Sequence, residues 1–145
     1  MLPVGTVRVL IADDNSLFAK TLHALLAGTP GVEVVGIADD GLEAVGLAVS
    51  LFPDVVLMDV EMPHLDGLRA TRRLRELGLG IPVVVLSASE DPALADAAHA
   101  AGAKGYLTKD RIVDGLLPAL LAAAEAPARL TDDGSAELAG RARVG

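Results

Sequence analysis

The chain has 145 residues, 52% of them apolar but only 2% aromatic, and no cysteine, so one domain with a Val, Leu, Ile and Ala core is expected. Disulfides, thiolate nucleophiles and cysteine metal sites are excluded. A formal net charge of −8 argues against nucleic acid held through its phosphates, and no apolar run approaches the roughly 20 residues of a membrane span.

Apolar, β-branched runs alternate with helical patterns, the sequence form of repeated βαβ units. Residues 7–12 read as a first strand. Residues 16–27 read as a helix with Phe18, Leu22, Leu25 and Leu26 on one face, capped by Asn15 or Ser16 and ended by Gly28. A second strand at 32–38 and a second helix at 41–51 follow. Pro53 punctuates before a third strand at 54–58. Asp66 can cap a third helix that runs to about Leu77, with Gly78 and Gly80 beyond it. The fourth unit is a strand at 82–86 and an alanine-rich helix at 92–101, stopped by Gly102. The fifth is a strand at 104–107 and a helix from about 111 to 125. Pro118 sits inside that last pattern, so the helix either starts later, near Asp114, or is kinked.

Nearly continuous apolar strands imply burial on both faces. Five such units predict an α/β fold, a (βα)5 doubly wound parallel sheet of order 2-1-3-4-5. That domain is expected to span 1–125, with 126–145 as a linker or mobile tail. The start, MLPVGTVRV, has no positive n-region, so a cytoplasmic location is expected.

Charged residues follow three of the strands: Asp13-Asp14, Asp59 and Lys109. In a parallel sheet the carboxyl ends of the strands share one edge, so these groups should meet in one pocket. Three carboxylates held close need protonation or a cation, and Mg²⁺ favours oxygen ligands of this kind. Taken singly, each residue has a second reading. One of Asp13 and Asp14 could cap the following helix, Ser87 could cap its own, and Lys109 could be a solvated surface lysine. The constrained segment from Met62-Pro63 to Asp66-Gly67 holds Asp59 at the sheet edge and lets the backbone carbonyl of Glu61 point into the pocket. Ser87 could donate to an anion there, and Lys109 could pair with the carboxylates or a phosphoryl oxygen. Tyr106, the only tyrosine, is either ordinary packing or a moving part.

The ordered set ADDN, LMDVEMPHLDG, VVVLSAS and GYLTKD resembles the receiver domain of bacterial two-component response regulators over roughly residues 7–125. AGAKGYL and GYLTKD look most like the subfamily with a C-terminal helix-turn-helix of the LuxR/NarL type. The resemblance implies a flavodoxin-like receiver fold and a switch driven by phosphorylation. It makes Asp59 the phosphoacceptor. Asp14 would bind Mg²⁺ directly, Asp13 mostly through water, and Asp59 and the Glu61 carbonyl would complete the ligands. Ser87, Lys109 and the Ala88 backbone would contact the phosphoryl oxygens, with Ser87 and Tyr106 as the switch. Glu61 and Ser89 would tune hydrolysis.

The implied partner is a sensor histidine kinase, docking on the outward stripe of the first helix at Leu17, Lys20 and Thr21. The apolar residues around the last helix, Ile112 to Leu121, favour a homodimer through that helix and a neighbouring one. Enzymatic activity is expected only as self-catalysed phosphoryl transfer and autodephosphorylation. Output is expected in transcription, through a DNA-binding domain outside these residues; the alternative is a stand-alone receiver acting by protein contact. Asp110 follows Lys109 where the family usually has proline, and TDDGSAELAGR resembles the linker that leads into a helix-turn-helix. Two other classes compete. A Mg²⁺-dependent phosphohydrolase would use similar groups. A flavodoxin binding FMN would need a neutral, hydroxyl-rich phosphate cradle, and ADDN is acidic.

Overall fold

The computed structural model describes residues 6–124. The expected tail at 126–145 lies outside them, as does the boundary at 125. The strands are β1 (Val7–Ala12), β2 (Val32–Ala38), β3 (Val55–Asp59), β4 (Val83–Ser87) and β5 (Gly105–Thr108). The helices are α1 (Ser16–Ala27), α2 (Gly41–Leu51), α3 (Gly67–Glu76), α4 (Pro92–Ala101) and α5 (Ile112–Ala124). All pairings are parallel, in the expected order β2-β1-β3-β4-β5.

Strand periodicity explains the layering. Val9 and Ile11 of β1, Val55 and Leu57 of β3, and Val84 and Leu86 of β4 join Leu22, Leu26, Leu116 and Leu120 in the core under α1 and α5. Their alternates, Leu10, Val56, Met58, Val83 and Val85, join Ala44, Ala48, Ala70, Leu74 and Ala98 under α2, α3 and α4. Successive side chains of a strand point to opposite faces, so each central strand feeds both cores. Burying each of these Val, Leu and Ile side chains contributes about 1.5–3 kcal/mol before chain entropy is counted.

Four helices begin with a polar side chain closing the first turn. Asn15, Asp40, Asp66 and Asp91 accept backbone N–H bonds from Phe18, Glu43, Arg69 and Ala93 at 2.7–3.0 Å. Each cap contributes about 1 kcal/mol. It also sets where the chain leaves the sheet edge, which is where the chemistry lies.

The structure corrects several local expectations. Burial on both faces holds for β1, β3 and β4, whereas β2 and β5 are the sheet edges and are only partly covered. Leu25 is exposed, because the buried stripe of α1 is Ala19, Leu22 and Leu26 at i, i+3 and i+7, and Leu25 lies about 100° round the helix from Leu26. β3 and β4 each extend one residue further than expected, to Asp59 and Ser87, and β5 runs 105–108. The last helix does not wait for Asp114. A 3-10 turn, Lys109–Arg111, leads into α5 at Ile112, and the helix runs through Pro118. Pro118 lies on the solvent side, while Leu116 and Leu120 hold the helix to the sheet.

Candidate functional site

Register brings the polar residues together. Ala12 pairs with Met58, so Asp13 emerges beside Asp59. Asp59 pairs with Leu86, and Ser87 with Thr108, which sets Ser87 and Lys109 along the same edge. Carboxylate oxygens of Asp13, Asp14 and Asp59 lie within 4.8 Å of one another. Asp13 is 1% exposed and Asp59 6%, whereas Asp14 is open to solvent. The Lys109 Nζ stands 3.0 Å from Asp13 Oδ2 and 3.1 Å from Asp59 Oδ1.

A cleft of about 1050 Å³ opens over this cluster, lined by Asp14, Asp59, Glu61, Ser87, Ala88 and Lys109 among others. The segment below it is held tightly. The Gly67 N–H donates to the Val60 carbonyl at 2.8 Å, and a Cβ on Gly67 would fall 1.8 Å from the Asp59 carbonyl oxygen. Only glycine lets α3 start this close to the Asp59 backbone. A Cβ on Gly41 would likewise lie 2.0 Å from the Leu65 carbonyl, so α2 buttresses the same loop. His64, at φ 69°, adds a 2.8 Å contact between its Nδ1 and Asp40 Oδ2.

Electrostatics follow from crowding. Burial, and after it the charge of Asp13, pushes Asp59 up to about 6, against the pull of Lys109. Burial alone would lower Lys109, but its bonds to Asp13 and Asp59 outweigh that and raise it. Three carboxylates against one ammonium leave negative charge uncompensated. All the clustered donors are hard oxygens, so the site fits a hard divalent cation such as Mg²⁺.

Ser87, 3% exposed, accepts the Ser89 N–H on its hydroxyl oxygen at 3.0 Å. The half-buried Tyr106 donates its hydroxyl to the Ser89 carbonyl at 2.9 Å. Tyr106 does not line the cleft itself, but the Ser89 backbone, which does, joins it to Ser87. Leu17, Lys20 and Thr21 are all exposed on α1, Leu17 at 74%, and the Thr21 hydroxyl is turned back onto the Leu17 carbonyl. Helical periodicity marks Phe18 only as a core residue; its ring centre also lies 4.3 Å from the Lys109 Nζ. Arg69 and Arg72 on the cleft wall were also missed. Their i, i+3 spacing on a capped helix that starts beside Asp59 was the available signal.

A doubly wound sheet with an acidic cluster and a lysine at its switch edge is the architecture of a receiver-type domain. Residues 9–120 match the family model of the response regulator receiver domain, and the chain belongs to that family, which acts in two-component systems. It is 40% identical over 114 residues to the response regulator GacA of Pseudomonas aeruginosa, covering 79% of this chain and 53% of GacA. It is 37% identical over 119 residues to the transcriptional regulatory protein DegU of Brevibacillus brevis, covering 82% and 50%. The chain thus spans about half the length of these curated relatives. Among solved structures, the signal receiver domain of NarL from Mycobacterium tuberculosis superposes with a TM-score of 0.74 at 37% identity, covering 79% of this chain and 96% of that one. Mg²⁺ and phosphorylation are typical of the family. Among the described residues no helix is long and apolar enough to cross a membrane.

Proposed function

We propose that this chain accepts a phosphoryl group on Asp59 from a phosphohistidine of a sensor histidine kinase and passes the change to an output surface. The observation that carries this is the cluster itself: a buried Asp59 within 4.8 Å of two further carboxylates and 3.1 Å from an ammonium. An Asp59 carboxylate oxygen attacks phosphorus, the P–N bond breaks, and the imidazole leaves with the bond electrons. The transition state spreads charge over three equatorial oxygens, so positioning and electrostatics carry the catalysis. Asp13, Asp14, Asp59 and the Glu61 carbonyl are the residues to hold Mg²⁺, which when bound neutralises charge on the carboxylates and the phosphoryl oxygens.

Lys109 holds one phosphoryl oxygen, and the Ser87 hydroxyl and Ala88 backbone hold others. When Ser87 turns toward the phosphoryl group, it releases the Ser89 N–H. That frees the backbone just before Ser89, whose carbonyl, one peptide further on, holds the Tyr106 hydroxyl, and Tyr106 turns inward. The α4–β5–α5 surface then changes population between two states, as a ligand-biased switch does. Water later cleaves the acyl phosphate, so the chemistry is self-phosphorylation and autodephosphorylation rather than turnover of a separate substrate. Glu61 and Ser89 border the water's approach and set its rate.

The kinase docks on Leu17, Lys20 and Thr21 beside the cleft, in the cytoplasm. Two copies pair through the exposed Val113, Leu117 and Leu121 of α5 together with a neighbouring helix. This chain itself binds no nucleic acid. Its output is control of transcription through a DNA-binding domain outside residues 1–145, as the relation to transcriptional regulators supports. Residues 126–145 are the linker to it.

Intact mass after incubation with acetyl phosphate and Mg²⁺ tests the reading. One phosphoryl group gained by the wild type, and none by Asp59→Ala or without Mg²⁺, is the expected result. No gain in folded wild-type protein overturns it.

A further inference from the structure

We propose that Phe18 is a positioning residue for Lys109, holding its ammonium over Asp59 through a cation–π contact; this rests on the proposed role of Asp59 as phosphoacceptor. Four contacts form a closed loop. Asp13 Oδ1 accepts the Asn15 N–H at 2.8 Å, and Asn15 Oδ1 accepts the Phe18 N–H at 3.0 Å. The Phe18 ring centre lies 4.3 Å from the Lys109 Nζ, which returns to Asp13 Oδ2 at 3.0 Å. Thus the carboxylate at the end of β1 fixes the first turn of α1, and that turn sets an aromatic face against the cation paired with the same carboxylate.

Phe18 is one of only two phenylalanines, and the other, Phe52, is exposed after α2. Phe18 also packs on the core under α1 and α5, so its ring is held from behind. The Lys109 side chain is 20% exposed, on a stem that could otherwise swing its ammonium into water. A ring face attracts a cation electrostatically and excludes water from it, and both effects strengthen the two carboxylate bonds. Leucine at this place supplies the apolar packing without the ring quadrupole. Tyrosine supplies both.

The test is a cycle of Phe18→Leu, Phe18→Tyr, Lys109→Met and Phe18→Leu/Lys109→Met, each checked for folding by circular dichroism. Single-turnover phosphorylation by acetyl phosphate is followed by intact mass. Phe18→Leu should slow it about fivefold, the size of one partly desolvated cation–π contact, and Phe18→Tyr should restore it to within about twofold. In the Lys109→Met background, leucine at 18 should cause no further loss. Equal loss in both backgrounds, wild-type rates with leucine, or failure of tyrosine to restore the rate each overturns the proposal.

Melting temperatures of the same set without Mg²⁺ give a readout independent of phosphorylation. Leucine should lower the midpoint more when Lys109 is present than when methionine replaces it, and equal shifts overturn the contact. If the wild type takes no phosphoryl group, the phosphoacceptor reading fails, and the melting cycle alone decides the pairing of Phe18 with Lys109.

Discussion

Replacing Asp59 with asparagine should make the protein more stable, not less, in neutral Mg²⁺-free solution. Asp59 is buried beside Asp13, and its carboxyl is raised from 3.8 to about 6. Between those values the folded state holds the proton more firmly than the unfolded chain. Stability is therefore greatest below 3.8, falls as pH rises through the window, and is lowest above about 6. A shift of about two units corresponds to about 3 kcal/mol at neutral pH. Asparagine keeps the shape and never ionises, so Asp59→Asn escapes that loss. Urea unfolding in chelator-treated buffer measures the difference. It should be near zero at about pH 4 and reach about 3 kcal/mol in favour of the variant at about pH 8. Saturating Mg²⁺ should reverse the order, because binding to the native acidic site stabilises only the wild type strongly. A variant less stable than wild type at the higher pH without Mg²⁺ would refute the electrostatic account of the site.

Three further substitutions probe other parts of the structure. Gly67→Ala puts a methyl group against the Asp59 carbonyl and should cost more than about 4 kcal/mol, visible as loss of a cooperative urea transition. A normal transition would mean that α3 can retreat from β3. Ser87→Ala removes the acceptor for the Ser89 N–H, so Tyr106 should become more mobile before any phosphorylation. Ring-proton NMR of the single tyrosine checks this, and an unchanged spectrum would separate Ser87 from Tyr106. Leu117→Glu changes a partly exposed α5 position and should cost under about 1 kcal/mol in stability while abolishing the proposed dimer in sedimentation velocity. A dimer that persists would move the interface away from α5.

Local chemistry made much of the fold legible from residues alone. Continuous Val, Leu and Ile runs separated by helical patterns point to five βα units, and 2-1-3-4-5 is a common doubly wound order for such units. Asn15 and Asp66 mark helix starts because a short polar side chain at a turn satisfies a free N–H wherever the chain lies. The acidic pair, Asp59 and Lys109 were recognisable because each ends an apolar strand, and parallel topology gathers strand ends on one edge.

Other features depend on neighbours that sequence spacing does not specify. Periodicity allows a stripe with Leu25 or one with Ala19 beside Leu22 and Leu26, and only the docking of α1 on the sheet turns the second inward. Pro118 reads as a sign of a later start or a kink, yet α5 begins at Ile112 and continues through it, with Ile112, Leu116 and Leu120 anchoring the helix on either side. The partial covering of β2 and β5 follows from their place at the edges of the sheet, and their sequences, VEVVGIA and GYLT, are less uniformly apolar than those of β3 and β4. The closeness of Gly67 to Asp59, the Ser89 peptide between Ser87 and Tyr106, and the ring of Phe18 against Lys109 are all contacts across separate elements. Composition and periodicity determine which segments form and which face seeks a core. Only the tertiary structure, by bringing three-dimensional neighbours within a few ångströms, decides which polar atoms pair and what environment shifts their charge.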